Sequence, residues 1–182
     1  MRVIAGTARS LPLKAPEGLD TRPTQDRIKE TLFNMIQTNV PGAIFLDLFS
    51  GSGAIGIEAI SRGAKRAYFV ENAPKALACI QDNLAFTKFQ DCAIVLKQDV
   101  VVALSGINET EADIIFMDPP YGQDHEKRVL WALRDRKYVT DDTLIIVEAA
   151  LDTDFSYLGE YGYVLQKEKI YKTNKHVFIK RM

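Results

Sequence analysis

The sequence predicts an α/β fold in which a parallel sheet is covered by helices on both faces, and three observations carry that prediction. Short apolar runs with β character alternate with stretches of helical periodicity from Ala43 to about Ala150, the pattern of strands joined by crossover helices. One of these runs, Ala43 to Phe49, passes directly into Ser50-Gly51-Ser52-Gly53-Ala54-Ile55-Gly56 and then Ile57 to Arg62, a strand, glycine loop and helix in sequence. Two final runs, Tyr161 to Tyr171 and Lys175 to Arg181, flank Lys172-Thr173-Asn174 and read as a closing hairpin.

The elements follow in order. Residues up to about Pro16 form an arm or small hairpin. A helix starts near Thr24, with Ile28, Leu32, Met35 and Ile36 on one face. After the glycine loop and its helix, Arg66 to Glu71 reads as a strand ending in an acid. The next helix carries Ala73, Leu77, Ile80 and Leu84 at helical spacing, with Cys79 among them as packing. Strands follow at Ala93 to Lys97, Ala112 to Met117 and Thr143 to Glu148. The expected organisation is an arm over residues 1–20 and one domain over 21–182.

Ligands of such sheets collect outside the carboxyl ends of the strands, where Asp47, Glu71, Asp99 and Asp118 fall. Glycines let the loop approach a ligand, and a carboxylate about 20 residues further on can accept both hydroxyls of a ribose. Gly51, Gly53 and Gly56 match the G-x-G-x-x-G of dinucleotide enzymes. Asp47, just before the loop, instead repels a pyrophosphate and welcomes an ammonium. A ligand with ribose, adenine and an amino acid on a cationic sulfur suits both ends: S-adenosylmethionine. Asp99 by itself reads more readily as a helix N-cap than as a ligand contact.

Asp118-Pro119-Pro120-Tyr121 closes a buried strand. The prolines stop the strand and have no N–H to donate, which leaves carbonyl acceptors beside an aromatic ring. An exocyclic amino group on a planar base needs that arrangement: acceptors for its two hydrogens and a ring to stack on.

With these motifs the chain resembles a class I methyltransferase, and Thr21 to Glu30, preceded by Met1 to Gly6 and Leu13 to Pro16, resembles the opening of the RsmD family, the bacterial 16S ribosomal RNA guanine-N2 methyltransferases. The resemblance covers essentially the whole chain. It implies a Rossmann-like seven-stranded sheet with its last strand antiparallel. It also implies a cytoplasmic enzyme that uses S-adenosylmethionine without a metal, releases S-adenosylhomocysteine and acts on 16S rRNA or the small ribosomal subunit; the sequence does not determine the oligomeric state, and a monomer is favoured. Carried over residue by residue, Asp47, Phe49, Gly51 and Gly53 hold the methionine part, Glu71 the ribose, and Asp99 with Val100 the adenine. Asp118, Pro119 and Tyr121 act on the base, and Arg2, Arg9, Arg22, Thr24 and Arg27 contact RNA. For Thr24 a helix cap is an adequate alternative, and for Arg22 and Arg27 surface ion pairs are.

Composition agrees. At 182 residues and 47% hydrophobic, the chain has the makings of one domain with a substantial core. No run approaches the roughly 18 apolar residues of a membrane span, and there is no leader-like segment. Two cysteines without a CxxC and two histidines argue against a zinc site or a disulfide framework. Net charge is −1, but both ends are basic: Arg2, Arg9 and Lys14 in the first fourteen residues, and five lysines with Arg181 against Glu168 alone from residue 161 onward. Rival readings are an adenine-N6 nucleic-acid methyltransferase, a protein-glutamine methyltransferase and a non-catalytic RNA-binding relative.

Overall fold

The computed structural model describes residues 1–16 and 23–182. Five helices and seven strands are seen among them: α1 (Pro23–Met35), β1 (Ile44–Leu48), α2 (Ala54–Ser61), β2 (Arg66–Val70), α3 (Pro74–Thr87), β3 (Ala93–Leu96), α4 (Val100–Ala103), β4 (Ile114–Met117), α5 (His125–Leu133), β5 (Leu144–Ala150), β6 (Tyr163–Ile170) and β7 (Asn174–Arg181). The strands form one sheet in the order β3-β2-β1-β4-β5-β7-β6. The first five are parallel, and β7 enters antiparallel between β5 and β6. Strand order reverses beside β1, so the ends of β1 and β4 diverge into a crevice.

Alternate residues of each central strand feed two cores. Phe45, Phe69, Ile114, Phe116, Ile146 and Phe178 face α1, α2 and α3, whereas Leu46, Leu48, Val70, Ile115, Met117 and Val147 face α4 and α5. This two-sided burial is why the parallel strands read as unbroken apolar runs. The buried face of α3 is turned from the expected one: Ala76, Ile80, Asn83, Leu84 and Thr87 point inward, while Ala73 is an exposed N-cap. Asn83 is drawn in because it accepts from the Lys14 amide at 2.8 Å and donates to the Ser52 carbonyl at 3.0 Å.

The N-terminal residues are a docked hairpin. Val3 N–H donates to the Leu11 carbonyl and Leu13 N–H to the Met1 carbonyl, while Val3, Ala8 and Leu13 join the core under α1 and α2. Glu58 of α2, fully buried, anchors it: its carboxylate accepts from the amides of Ile4 (2.8 Å) and Ala5 (3.0 Å) and from Arg62 Nε (2.7 Å). Lys29 of α1, 4% exposed, lies 3.5 Å from the same carboxylate and donates to the Arg2 carbonyl at 2.6 Å. Burial pulls the Lys29 ammonium pKa down while Glu58 and Asp26 oppose the fall. Gly6, at φ +83°, packs where a Cβ would lie 1.8 Å from the Ser61 carbonyl oxygen, so only glycine fits. Among the described residues no helix is long and apolar enough to cross a membrane.

Candidate active site

The carboxyl ends of the strands open into two adjoining cavities of about 700 and about 260 Å³ that share Gln25, Phe49, Gly51, Asp118 and Glu148. The larger holds Glu71, Asn72, Gln98, Asp99, Val100, Pro119, Pro120 and Tyr121; the smaller runs under α1 past Asp47, Lys29, Phe116 and His176. Met1, Ala15 and Pro16 wall the smaller lobe, so the N-terminal hairpin shapes the cleft.

The loop after β1 turns through left-handed conformations at Phe49 (φ 62°), Gly51 (φ 55°) and Gly53 (φ 78°). For Phe49 this conformation costs on the order of 1–2 kcal/mol. The surroundings hold it there: Ser50 donates its hydroxyl to the Asp47 carbonyl at 2.6 Å and its amide to the Val70 carbonyl. Gly56 does not line the cleft; a Cβ there would meet the Phe69 ring at 2.4 Å, so this glycine serves the packing of α2 on β2.

Most carboxylates at this edge are already engaged by protein donors. Asp47, 1% exposed, accepts the Gly56 amide at 2.9 Å; burial pushes its pKa well up, that amide draws it back, and Asp118 and Glu71 raise it further. Glu71 accepts the amides of Gly51, Asn72 and Ala73 at 2.8–2.9 Å, tying β2 to the glycine loop. Asp99 caps α4 through the Val101 amide at 3.0 Å while also facing the cleft, so the cap and the site residue are one. Glu148, at the cleft end of β5, accepts from Asn174 Nδ2 at 2.5 Å, from His176 Nε2 at 3.0 Å and from the Tyr121 hydroxyl at 3.4 Å.

Asp118 differs. Among the described residues its side chain makes no hydrogen bond, and it lines both lobes of the cleft. Protein crowding on the sheet side and then the like charge of Glu148 push its pKa up to about 8, while the open cleft mouth admits water and opposes the rise. Pro119 is buried beside it. Tyr121 is 48% exposed; burial of its hydroxyl end and the charges of Glu148 and Asp118 raise its pKa, so the phenol stays protonated and donates.

Of the residues expected to meet RNA, Arg2, Arg9 and Arg27 come together around a separate groove of about 360 Å³ between the hairpin and α1, with Asp26 and Glu30. Arg2 is partly neutralised by Asp26 at 3.6 Å, as Lys14 is by Asp82 at 2.8 Å and Lys175 by Glu168 at 3.0 Å. Basic ends in sequence are therefore less basic in space. Arg22 lies outside the described residues, as does the side chain of Thr24. Sequence reasoning missed Gln25, Glu148, Asn174 and His176. The strand-end rule that found Asp118 applies equally to Glu148, whereas Asn174 and His176 reach this edge only because β7 runs antiparallel.

A family model described as "Conserved hypothetical protein 95" matches residues 1–180. The chain is 31% identical over 170 residues to ribosomal RNA small subunit methyltransferase D of Escherichia coli, covering 93% of this chain and 84% of that protein. It is 39% identical over 150 residues to YlbH of Bacillus subtilis, covering 81% and 82%. The solved structure of yhhF from Escherichia coli superposes with a TM-score of 0.87 at 32% identity, covering 100% of this chain and 97% of that one. With a seven-stranded sheet of the class I type and these relatives across nearly its full length, the chain is a methyltransferase of the RsmD family.

Proposed function

We propose that the protein transfers a methyl group from S-adenosylmethionine to the exocyclic N2 of a guanine in 16S ribosomal RNA. The observation that carries this reading is the uncommitted carboxylate of Asp118 beside the buried Pro119, in one cleft with the glycine loop, Glu71 and Asp99. The cleft suits the cofactor. Its larger lobe falls within the roughly 300–1,000 Å³ usual for such ligands. Its carboxyl groups, Glu71, Asp99 and Asp118 with Asp47 at the base of the smaller lobe, leave no place for a pyrophosphate and gain most from a cationic sulfonium and ammonium, which draw the raised pKa values of Asp47 and Asp118 back down. Glu71 Oε1 is filled by the Asn72 and Ala73 amides, and Oε2, which accepts only the Gly51 amide, keeps a lone pair for a ribose hydroxyl; Asp99 and Val100 flank the place for adenine.

When bound, S-adenosylmethionine supplies an electrophilic methyl group whose bonding pair stays on sulfur as it leaves. The guanine amino lone pair is delocalised into the ring and is a poor nucleophile. Asp118 and the Pro119 carbonyl accept its two hydrogens and favour the tetrahedral nitrogen that can attack. Positive charge grows on that nitrogen, so Asp118 interacts more strongly with the transition state than with the ground state. Tyr121 stacks on the base, a contact worth about 1–3 kcal/mol. Its exposure and the open cleft mouth suit a base splayed out of a loop rather than one in an A-form helix.

The choice of guanine in small-subunit RNA is supported by the likeness of Arg22 to Glu30 to the family opening and by the names of the relatives. Arg2, Arg9 and Arg27 would contact phosphates, with a modest salt dependence because acids share their groove. The deciding experiment is mass spectrometry of nucleosides from undermethylated small ribosomal subunits incubated with the protein and S-adenosylmethionine. N2-methylguanosine is expected; N6-methyladenosine in its place would refute the guanine assignment.

A further inference from the structure

We propose that Glu148 is a positioning residue for this reaction: clamped by Asn174 and His176, it orients Tyr121 and acts through Asp118 to set the pH range in which the enzyme works. The inference rests on the function proposed above and concerns a group that the resemblance did not point to.

A carboxylate only accepts, so His176 Nε2 must carry the proton in its 3.0 Å contact with Glu148, and in the neutral ring Nδ1 then accepts from the Tyr171 hydroxyl at 3.1 Å. His176 is 1% exposed and packs edge-on to Phe116, which fixes the ring plane. Asn174, also buried, gives its amide to the other Glu148 oxygen, the one that Tyr121 reaches at 3.4 Å. Glu148 is thus held from behind by β7 and holds the Tyr121 ring at its front. A tyrosine beyond two prolines needs such a hold to present one stacking face to a base.

Glu148 and Asp118 line both lobes of the cleft. Glu148 has three donors and Asp118 has none among the described residues, so the like charge of Glu148 acts on a carboxyl group with no donor to offset it. The other titratable groups here are Asp47 and Tyr121 near Asp118, Lys29, Glu71, Asp99 and His125 along the same two lobes, Tyr171 beside His176, and Lys169 opposite His176 in the β6–β7 register. On methylation the nitrogen must lose one proton. Asp118 takes it along the hydrogen bond it already accepts, becomes neutral, and passes it to water at the cleft mouth. A negative neighbour makes Asp118 a better acceptor for that proton and confines activity to pH values at which Asp118 is ionised.

The test uses the full chain with Glu148→Gln, whose amide can keep an oxygen toward Asn174 while its NH2 donates to His176 Nε2 with the ring in its other tautomer. Carbon-13 NMR of the Asp118 carboxyl in the free protein should show its titration midpoint falling on the order of one pH unit. The acidic limb of kcat/KM should move down with it, with S-adenosylmethionine affinity unchanged. Tyr121→Phe should raise KM for RNA and leave the midpoint near its parent value. An unmoved midpoint in Glu148→Gln, or a midpoint that moves without the limb, overturns the inference. Loss of all methylation by the parent protein would instead overturn the proposed function, and the NMR midpoint would still read the Glu148–Asp118 coupling.

Discussion

Replacing Glu58 by Gln should undock the N-terminal hairpin, because no orientation of an amide can serve the four donors around that side chain. Oε2 takes the Ile4 amide and lies 3.5 Å from Lys29; Oε1 takes the Ala5 amide and Arg62 Nε. Whichever way Gln turns, its NH2 faces a backbone N–H, and an unsatisfied buried donor costs about 1–3 kcal/mol. The larger loss is electrostatic. Lys29, 4% exposed, would be left with the Arg2 carbonyl as hydrogen-bond partner and the more distant charge of Asp26, and breaking a buried pair from one side costs about 3–5 kcal/mol. Together these come to about 4–8 kcal/mol, enough to reach the lower end of an ordinary domain's stability, about 5 kcal/mol. For a chain of this size the melting temperature should drop on the order of 10 °C or more. Calorimetric melting reads that drop, and limited proteolysis reads release of the hairpin. Adding Lys29→Met removes the stranded ammonium and should restore at least about 1 kcal/mol in a double-mutant cycle. A drop of less than about 3 °C, or no recovery on adding Lys29→Met, refutes the reasoning.

Asp118→Asn should cut turnover by orders of magnitude with S-adenosylmethionine affinity retained. Because folding raises the Asp118 pKa above its unfolded value, the folded state favours the protonated form, and the parent loses stability as pH climbs through the window from about 4 to about 8. The Asn variant should therefore melt above the parent at pH 8 and with it near pH 3; a pH-independent difference would exclude the carboxylate as its source. Glu71→Ala should weaken both S-adenosylmethionine and S-adenosylhomocysteine in titration calorimetry, and unchanged affinity would move the ribose to another part of the cleft.

Deleting residues 1–14 is not a clean test of RNA contact, although the sequence reads them as a basic arm. Val3, Ala8 and Leu13 are core residues and Met1 walls the cleft, so the deletion would unfold as well as disarm. The single change Arg9→Ala, at an exposed position in the arginine groove, separates the two effects: RNA methylation should weaken while melting stays within about 2 °C of the parent.

The sequence by itself determined the class of sheet and most of the first ring of residues around the cleft. Strands buried on both faces are continuous apolar runs, and a chain that turns at each strand end places cleft-lining residues there, so Glu71, Asp99 and Asp118 were legible from position alone. Tertiary structure decided what each carboxylate is committed to. Asp47 is spent on the Gly56 amide and Glu71 on three amides, while Asp118 is left to the cleft, and no spacing in the chain distinguishes them. It also decided the partners of Glu148, because Asn174 and His176 lie 26 and 28 residues further on and meet it only through antiparallel pairing. Local periodicity records which face of a strand is buried. It does not record which distant donor reaches a given oxygen, and at a site built from carboxylates that pairing sets the chemistry.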